Sequence, residues 1–316
     1  MNYPYANGVL KVKEADLFTN ASYLRLKDSK DILKTLEELG YEKKQTIEAT
    51  LVNELVKTKD LIQSLSPNHK LTNCFFLVSD ATNIKAYYKA RIFNLSTDDL
   101  YVPNSNFSKE ELEEAILNYD LKGLSKENQK LFIQLEQELK GLEENPRLIS
   151  AKIDQILFNK AYKDSKKIND KALREYLVLN IDTINIITLF RAKKLNFDLS
   201  EVLDVFIDNG KIKIDVLKDL YQEENEDRIL KEIVLVYPKL EKPLLSYFKN
   251  QSLDLLERAF KSYILEEIAK YEYDSMKLGP MLYYYVSKEI EIENIRLIYF
   301  DQSIALSDLI KGDRNG

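Results

Sequence analysis

Apolar residues along this chain return every third or fourth position far more often than every second. Leu112, Ala115, Ile116 and Tyr119 keep the i, i+3, i+4, i+7 spacing of one helix face. Ser108, with Glu111 three residues on, reads as a capping box at the start of that helix. Ile32, Leu33, Leu36 and Leu39 form a second stripe, closed by Gly40 as a C′ residue. Phe132, Leu135, Leu139 and Leu142 form a third, ended by Asn145-Pro146. Leu255, Leu256, Ala259, Phe260, Tyr263 and Ile264 repeat the spacing, and Val178 to Leu189 is apolar on more than one face, as in a helix deep inside a bundle. These stripes predict an all-α protein.

Composition agrees. The 316 residues include 8 Gly and 7 Pro, where average usage gives about 22 and about 16. Strand-rich folds need frequent tight turns, which draw on both residues. The same shortage removes Gly-rich phosphate loops, and no P-loop or dinucleotide fingerprint is present.

The chain also repeats itself. An acid followed three residues later by Asn-Ile occurs as Asp80 with Asn83-Ile84, Asp182 with Asn185-Ile186, and Glu291 with Asn294-Ile295. The Asn residues are 102 and 109 positions apart, about one third of the chain. The first two copies continue alike, with Lys89-Ala90-Arg91 and Arg191-Ala192-Lys193. All three are followed by Leu, Ser and an acid: Leu95-Ser96 with Asp98, Leu199-Ser200 with Glu201, Leu306-Ser307 with Asp308. These trailing segments read as helix starts, with Ser as N-cap. Three related helical units result, at residues 1–106, 107–213 and 214–316.

Asn is a poor helix-interior residue, so its recurrence implies a tertiary task. The acid three residues earlier shares its helical face. A buried polar pair that hydrogen-bonds an adjacent helix end and fixes packing register fits this pattern. A carboxylamide ligand site in each unit is the alternative, disfavoured because a small-molecule site is rarely needed in triplicate. Asp80, Asn83, Asp182, Asn185, Glu291 and Asn294 are therefore read as a structural signature.

Candidate chemistry is sparse. The single His69 lies in a polar Ser-Pro-Asn segment, where a solvated ring is expected, and no nucleophile elbow accompanies it. The single Cys74, within Cys74-Phe75-Phe76-Leu77-Val78, reads as a buried, inert thiol. One Cys and one His do not make a zinc site. The acidic run Glu223-Glu224-Asn225-Glu226-Asp227 lacks a calcium-loop pattern and reads as a solvated segment. Tyr283-Tyr284-Tyr285 reads as core or interface rather than a base-stacking platform, because the formal charge is −6 and nucleic acid needs a basic face. No catalytic residue, cofactor, metal or small-molecule substrate is expected. Without a signal-peptide pattern or an apolar run near about 20 residues, a soluble, cytoplasmic chain is expected.

The chain resembles a known family, the C subunits of the prokaryotic V/A-type ATPases, equivalent to the d subunit of the eukaryotic vacuolar enzyme. Tyr5-Ala6-Asn7-Gly8-Val9, Leu17, Tyr23 and Leu39-Gly40-Tyr41 are similar to its N-terminal region, with Gly8 where Arg or Ala is more usual. Ile153-Asp154 to Ala161-Tyr162, Leu173-Arg174-Glu175-Tyr176-Leu177 and Asp182 to Ile186 follow in the family's order. Leu278-Gly279-Pro280, Lys288-Glu289 and Glu293-Asn294-Ile295-Arg296-Leu297-Ile298 carry the most specific likeness, whereas 299–316 is only loosely family-like. The resemblance implies three similar helical domains about a pseudo-threefold axis, forming a funnel. It implies a non-catalytic rotor subunit of the central stalk, a socket between the axle of D and F subunits and the membrane rotor ring of c/K subunits. It places the chain peripherally on the cytoplasmic face, without membrane insertion. A helical-repeat scaffold of another cytoplasmic complex is the alternative, and copurification with a membrane ATPase distinguishes the two.

Overall fold

The chain of this computed structural model is described over residues 2–310, and every regular element among them is a helix. The early helices are α1 (Tyr3–Lys13), α2 (Asn20–Lys27), α3 (Ile32–Glu38), α4 (Ile47–Leu65) and α5 (His69–Thr72). Next come α6 (Leu77–Phe93), α7 (Lys109–Leu112), α8 (Lys126–Leu139), α9 (Pro146–Ile168) and α10 (Lys171–Lys194). The last are α11 (Leu199–Val202), α12 (Ile214–Gln222), α13 (Glu226–Val236), α14 (Glu241–Asn250), α15 (Leu253–Ala269) and α16 (Gly279–Phe300).

One unit gathers Met1–Phe75, Asp170–Tyr176 and Asp254–Gly316, so it joins early and late sequence. Its centre is α16, which packs on α1, α2 and α4. Leu26, Leu36 and Leu51 from the early helices meet Ile292, Ile295 and Ile298 of α16 in one apolar cluster. Sequence sets the local geometry here. Asp31 caps α3 by accepting from Lys34 N at 3.0 Å. Gly40, at φ +99°, ends α3 in the left-handed region, and Tyr41 N returns to Leu36 O at 2.9 Å. Gly279 opens α16 because a Cβ there would lie 2.4 Å from Tyr271 O. Met281 to Val286 are all buried, and the Tyr285 ring stacks on Phe75 at 5.5 Å. The three consecutive tyrosines are core.

One carboxyl on α16 carries a pH signature. Burial pushes Glu289 up to about 7, opposed by the Tyr285 hydroxyl at 2.6 Å and by Lys261. An unfolded Glu titrates near about 4.3. The fold therefore holds the extra proton between those values, and stability falls as pH rises through that window. Glu289→Gln is expected to raise stability at pH 8 by about 2 kcal/mol, allowing for partial exposure, and to change little at pH 4. Thermal melts of both proteins at the two pH values check this.

The other unit comprises Phe76–Asn169 and Leu177–Leu253. In it α6 packs along α9, and α8 also lies on α9. Phe107 meets Phe132 edge-on at 5.4 Å. Asn145 accepts from Arg147 N and Leu148 N, and Pro146 occupies the first turn of α9. Asn145-Pro146 thus begins α9, whereas α8 has already stopped at Leu139, leaving Leu142 outside it. Asp154 on α9, raised by burial, is held by Lys85 of α6 at 2.8 Å.

Two other local expectations change. The Ser108–Glu111 capping box is present, with bonds of 2.8 and 3.1 Å. The helix it starts loosens into a π-turn over Glu113–Leu117, and Tyr119 leaves it at φ 56° with 65% of its surface exposed. The Leu-Ser-acid segments do not use Ser as N-cap. Ser96 turns back onto Asp98 in a loop, Ser200 lies inside α11 behind the N-cap Asp198, and Ser307 lies inside a 3-10 turn at Leu306–Asp308. The Ser96 and Ser307 hydroxyls donate to the nearby acids Asp98 and Asp308 instead of capping a helix.

Candidate functional site

Each acid-x-x-Asn pair lies buried on a long helix: Asp80 and Asn83 on α6, Asp182 and Asn185 on α10, Glu291 and Asn294 on α16. The three Asn side chains make the same pair of bonds. Asn83 Nδ2 donates to Val102 O at 2.9 Å and its Oδ1 accepts from Val102 N at 2.8 Å. Asn185 does this with Ile207, both bonds being 2.8 Å. Asn294 does it with Ile310, again at 2.8 Å for both. An amide that pairs with both polar groups of one residue copies a strand partner, holding an extended segment against a helix. The partner is thus not a helix end, as the sequence pattern suggested, but non-helical chain 16 to 22 residues downstream.

The first two carboxylates fasten chain that lies beyond their helices, and the third fastens chain that precedes its own. Asp80 accepts from Ser105 Oγ and Asn106 N, both at 2.7 Å, and from Asn106 Nδ2 at 2.6 Å. Asp182 accepts from Lys211 N at 2.7 Å, from Ile212 N, and from the Tyr237 hydroxyl. Burial raises the Asp182 pKa, and those three donors oppose the rise. Glu291 accepts from Phe18 N at 2.6 Å, Tyr41 Oη at 2.5 Å and Lys288 Nζ at 2.7 Å. Lys288 itself is buried. Burial pulls its pKa down, but Glu291 and Glu54, at 3.2 Å, outweigh this and hold it above the ordinary value. Burial first, and then the charge of Glu291, push the Tyr41 hydroxyl well up.

The basic residues that trail the first two copies have a shared task as well. Arg91 Nη1 reaches Ile116 O at 2.8 Å and Glu136 at 2.7 Å. Lys193 Nζ reaches Leu220 O, Tyr221 O and Glu223 O, at 3.1, 2.7 and 2.6 Å. Both cations take up carbonyls at the end of a following helical turn. The spacing of the motif points to these residues, but their partners carry no local signal. Nothing in the sequence marks Gly210, Tyr237, Tyr41 and Lys288 as parts of this arrangement.

Chemically the polar groups of these sites are already spent. Each carboxylate meets several donors and each Asn uses both ends on backbone, so a ligand would have to displace the chain from them, although Glu291 and Asn294 also border a cavity of about 300 Å³. Asn185→Leu leaves the Ile207 N–H and C=O buried without partners, an expected cost of about 2–3 kcal/mol. A urea titration of the variant, with wild-type slope and a lower midpoint, checks this. The remaining candidates are distributed over the fold. Cys74 is buried, and His69 is exposed at the start of α5, with Nδ1 2.8 Å from Gln63 Oε1. No group of three His, Cys, Asp or Glu side chains among the described residues is placed to hold a metal. No helix among them is long and apolar enough to cross a membrane.

Residues 6–300 match the family described as ATP synthase (C/AC39) subunit. The chain belongs to this family. Among curated relatives, the C subunit of the A-type ATP synthase of Desulfurococcus sp. (strain SY) is 24% identical, across 94% of this chain and 85% of that protein. The corresponding protein of Thermococcus onnurineus is 26% identical over the same shares, and that of Methanocaldococcus jannaschii 24% over 94% and 82%. All three motif helices, α6, α10 and α16, fall inside the matched span. The C/AC39 fold is thus all-helical here, and the chain is an ATP synthase subunit of the C/d type. Its acid-x-x-Asn side chains bond the three long helices to non-helical chain, which follows the helix at Asn83, Asn185 and Asn294 and precedes it at Glu291.

Proposed function

We propose that this chain is a non-catalytic rotor subunit of the central stalk of a V/A-type ATPase. It would act as a socket between the axle of D and F subunits and the membrane rotor ring of c/K subunits. Family membership over residues 6–300 carries this reading. The physical demands of the role favour it too. An axle and a many-membered ring do not share symmetry, so a direct joint leaves surfaces unmatched, and an adaptor presents one surface to each. Transmitted torque requires a body that resists shear, and close-packed helices stapled to their own loops by buried Asn and acid side chains supply that stiffness. The acid-x-x-Asn residues would then be structural parts of three related helical units.

In this role the chain lies peripherally on the cytoplasmic face and binds no nucleotide. With a formal charge of −6, its contacts to basic partner surfaces weaken with salt. The test is recovery of tagged chain from detergent-solubilised membranes. D, F and ring subunits are expected in the eluate, in amounts that fall as salt rises. Recovery of the chain from the cytosolic fraction with a different set of partners would instead favour a scaffold of another complex.

A further inference from the structure

The three motif helices are followed by different stretches of chain, yet they make matching contacts. After α6, the Asn83 segment leads to Asn106 N on the acid, then to α7 and its π-turn, whose Ile116 O is taken by Arg91, eight residues beyond Asn83. After α10, the Asn185 segment leads to Lys211 N on the acid, then to α12, whose Leu220 O is taken by Lys193, again eight residues beyond the Asn. Next comes α13, and Tyr237 just beyond it returns its hydroxyl to Asp182.

After α16 the order breaks. Asn294 still pairs with Ile310, but Glu291 receives its backbone N–H from Phe18, immediately before α2. The residue eight beyond the Asn is Gln302, and its Nε2 donates to Leu26 O and Ser29 O, at 3.3 and 2.8 Å, at the end of α2. Tyr41, just beyond α3, returns its hydroxyl to Glu291 as Tyr237 does to Asp182. Three contacts of three chemical kinds therefore map α2, α3 and Tyr41 onto α12, α13 and Tyr237.

We propose that the third helical repeat is split across the chain. Residues 17–41 form an N-terminal strap that supplies its second half, with Glu291 as the clasp. The repeats then begin at the long helices α4, α9 and α15 rather than at sequence thirds. The third closes without a covalent link, by side chains and by the apolar cluster of Tyr23, Leu26 and Leu36 on Ile292, Ile295 and Ile298. Strap and motif helix meet at one place, since Phe18, Tyr23, Glu291, Asn294 and Ile310 line one cavity of about 300 Å³. Lys27 Nζ also bonds Ile304 O. This topology is independent of which complex the protein serves.

The test nicks the folded full chain at a protease site inserted between Glu42 and Lys43, which are exposed and lie between Tyr41 and α4. The released N-terminal fragment is expected to stay bound through gel filtration and to leave only with cooperative unfolding. Gln302→Ala, a change at the exposed edge that does not threaten folding, should speed fragment loss about tenfold. A circular permutant that begins at Pro146, with its original ends joined by a long flexible linker, should melt in one transition close to wild type. Loss of the fragment from the nicked wild type while the remainder keeps its cooperative melt would overturn the proposal. So would a permutant that does not fold.

Discussion

Glu291→Ala is expected to lower the free energy of unfolding by about 3–5 kcal/mol, the largest effect of any single change considered for this protein. Three donors lose their acceptor at once. Lys288 keeps Glu54, at 3.2 Å, and the face of the Tyr41 ring, at 5.2 Å, while its ammonium stays buried. Phe18 N and the Tyr41 hydroxyl are left facing the vacated space. Attraction in such a pair does little more than offset desolvation, so the cost arises chiefly from stranding the lysine. It follows that Lys288→Met combined with Glu291→Leu should destabilise less than Glu291→Ala alone. Urea denaturation of the single and double variants measures the difference. Equal midpoints for wild type and Glu291→Ala would show that the buried charge has another partner.

Gly210→Ala is the second large effect, about 3 kcal/mol or more. A Cβ at this position would stand 2.1 Å from Asp182 Oδ1 and 2.9 Å from its Cγ, far inside contact distance. The carboxylate has no room to withdraw, because Lys211 N, Ile212 N and Tyr237 hold it. The loop must move instead, and that pulls Ile207 from Asn185. Thermal melting of Gly210→Ala should therefore be lowered strongly. In an Asp182→Ala background the same glycine change should cost far less, since the clashing oxygen is gone. Additive losses would place the strain elsewhere.

Much of this arrangement is written in short-range sequence, and the rest is not. The α3 stripe with Gly40 and the Ser108–Glu111 box are legible because both ends of each interaction lie within a few residues. The acid-x-x-Asn repeat is visible for a different reason, since a polar pair inside an apolar helix conflicts with local propensity and so marks a tertiary bond. The identity of that bond is not visible. Val102, Ile207 and Ile310 are recognised through backbone atoms, which leave no trace in side-chain pattern. Contacts such as Phe18 with Glu291, 273 residues apart, depend wholly on how the ends meet. The Leu-Ser-acid segments mislead because Ser competes for local bonds in loops as readily as at helix starts.

The adaptor role itself is tested most directly by reconstitution. Purified full-length chain, a D–F axle and an isolated rotor ring are mixed and separated by size in detergent. The expected result is one ternary particle containing all three, formed only when this chain is present and leaving both partners on it at once. A chain that binds neither the axle nor the ring, while its melting curve shows it folded, would contradict the account.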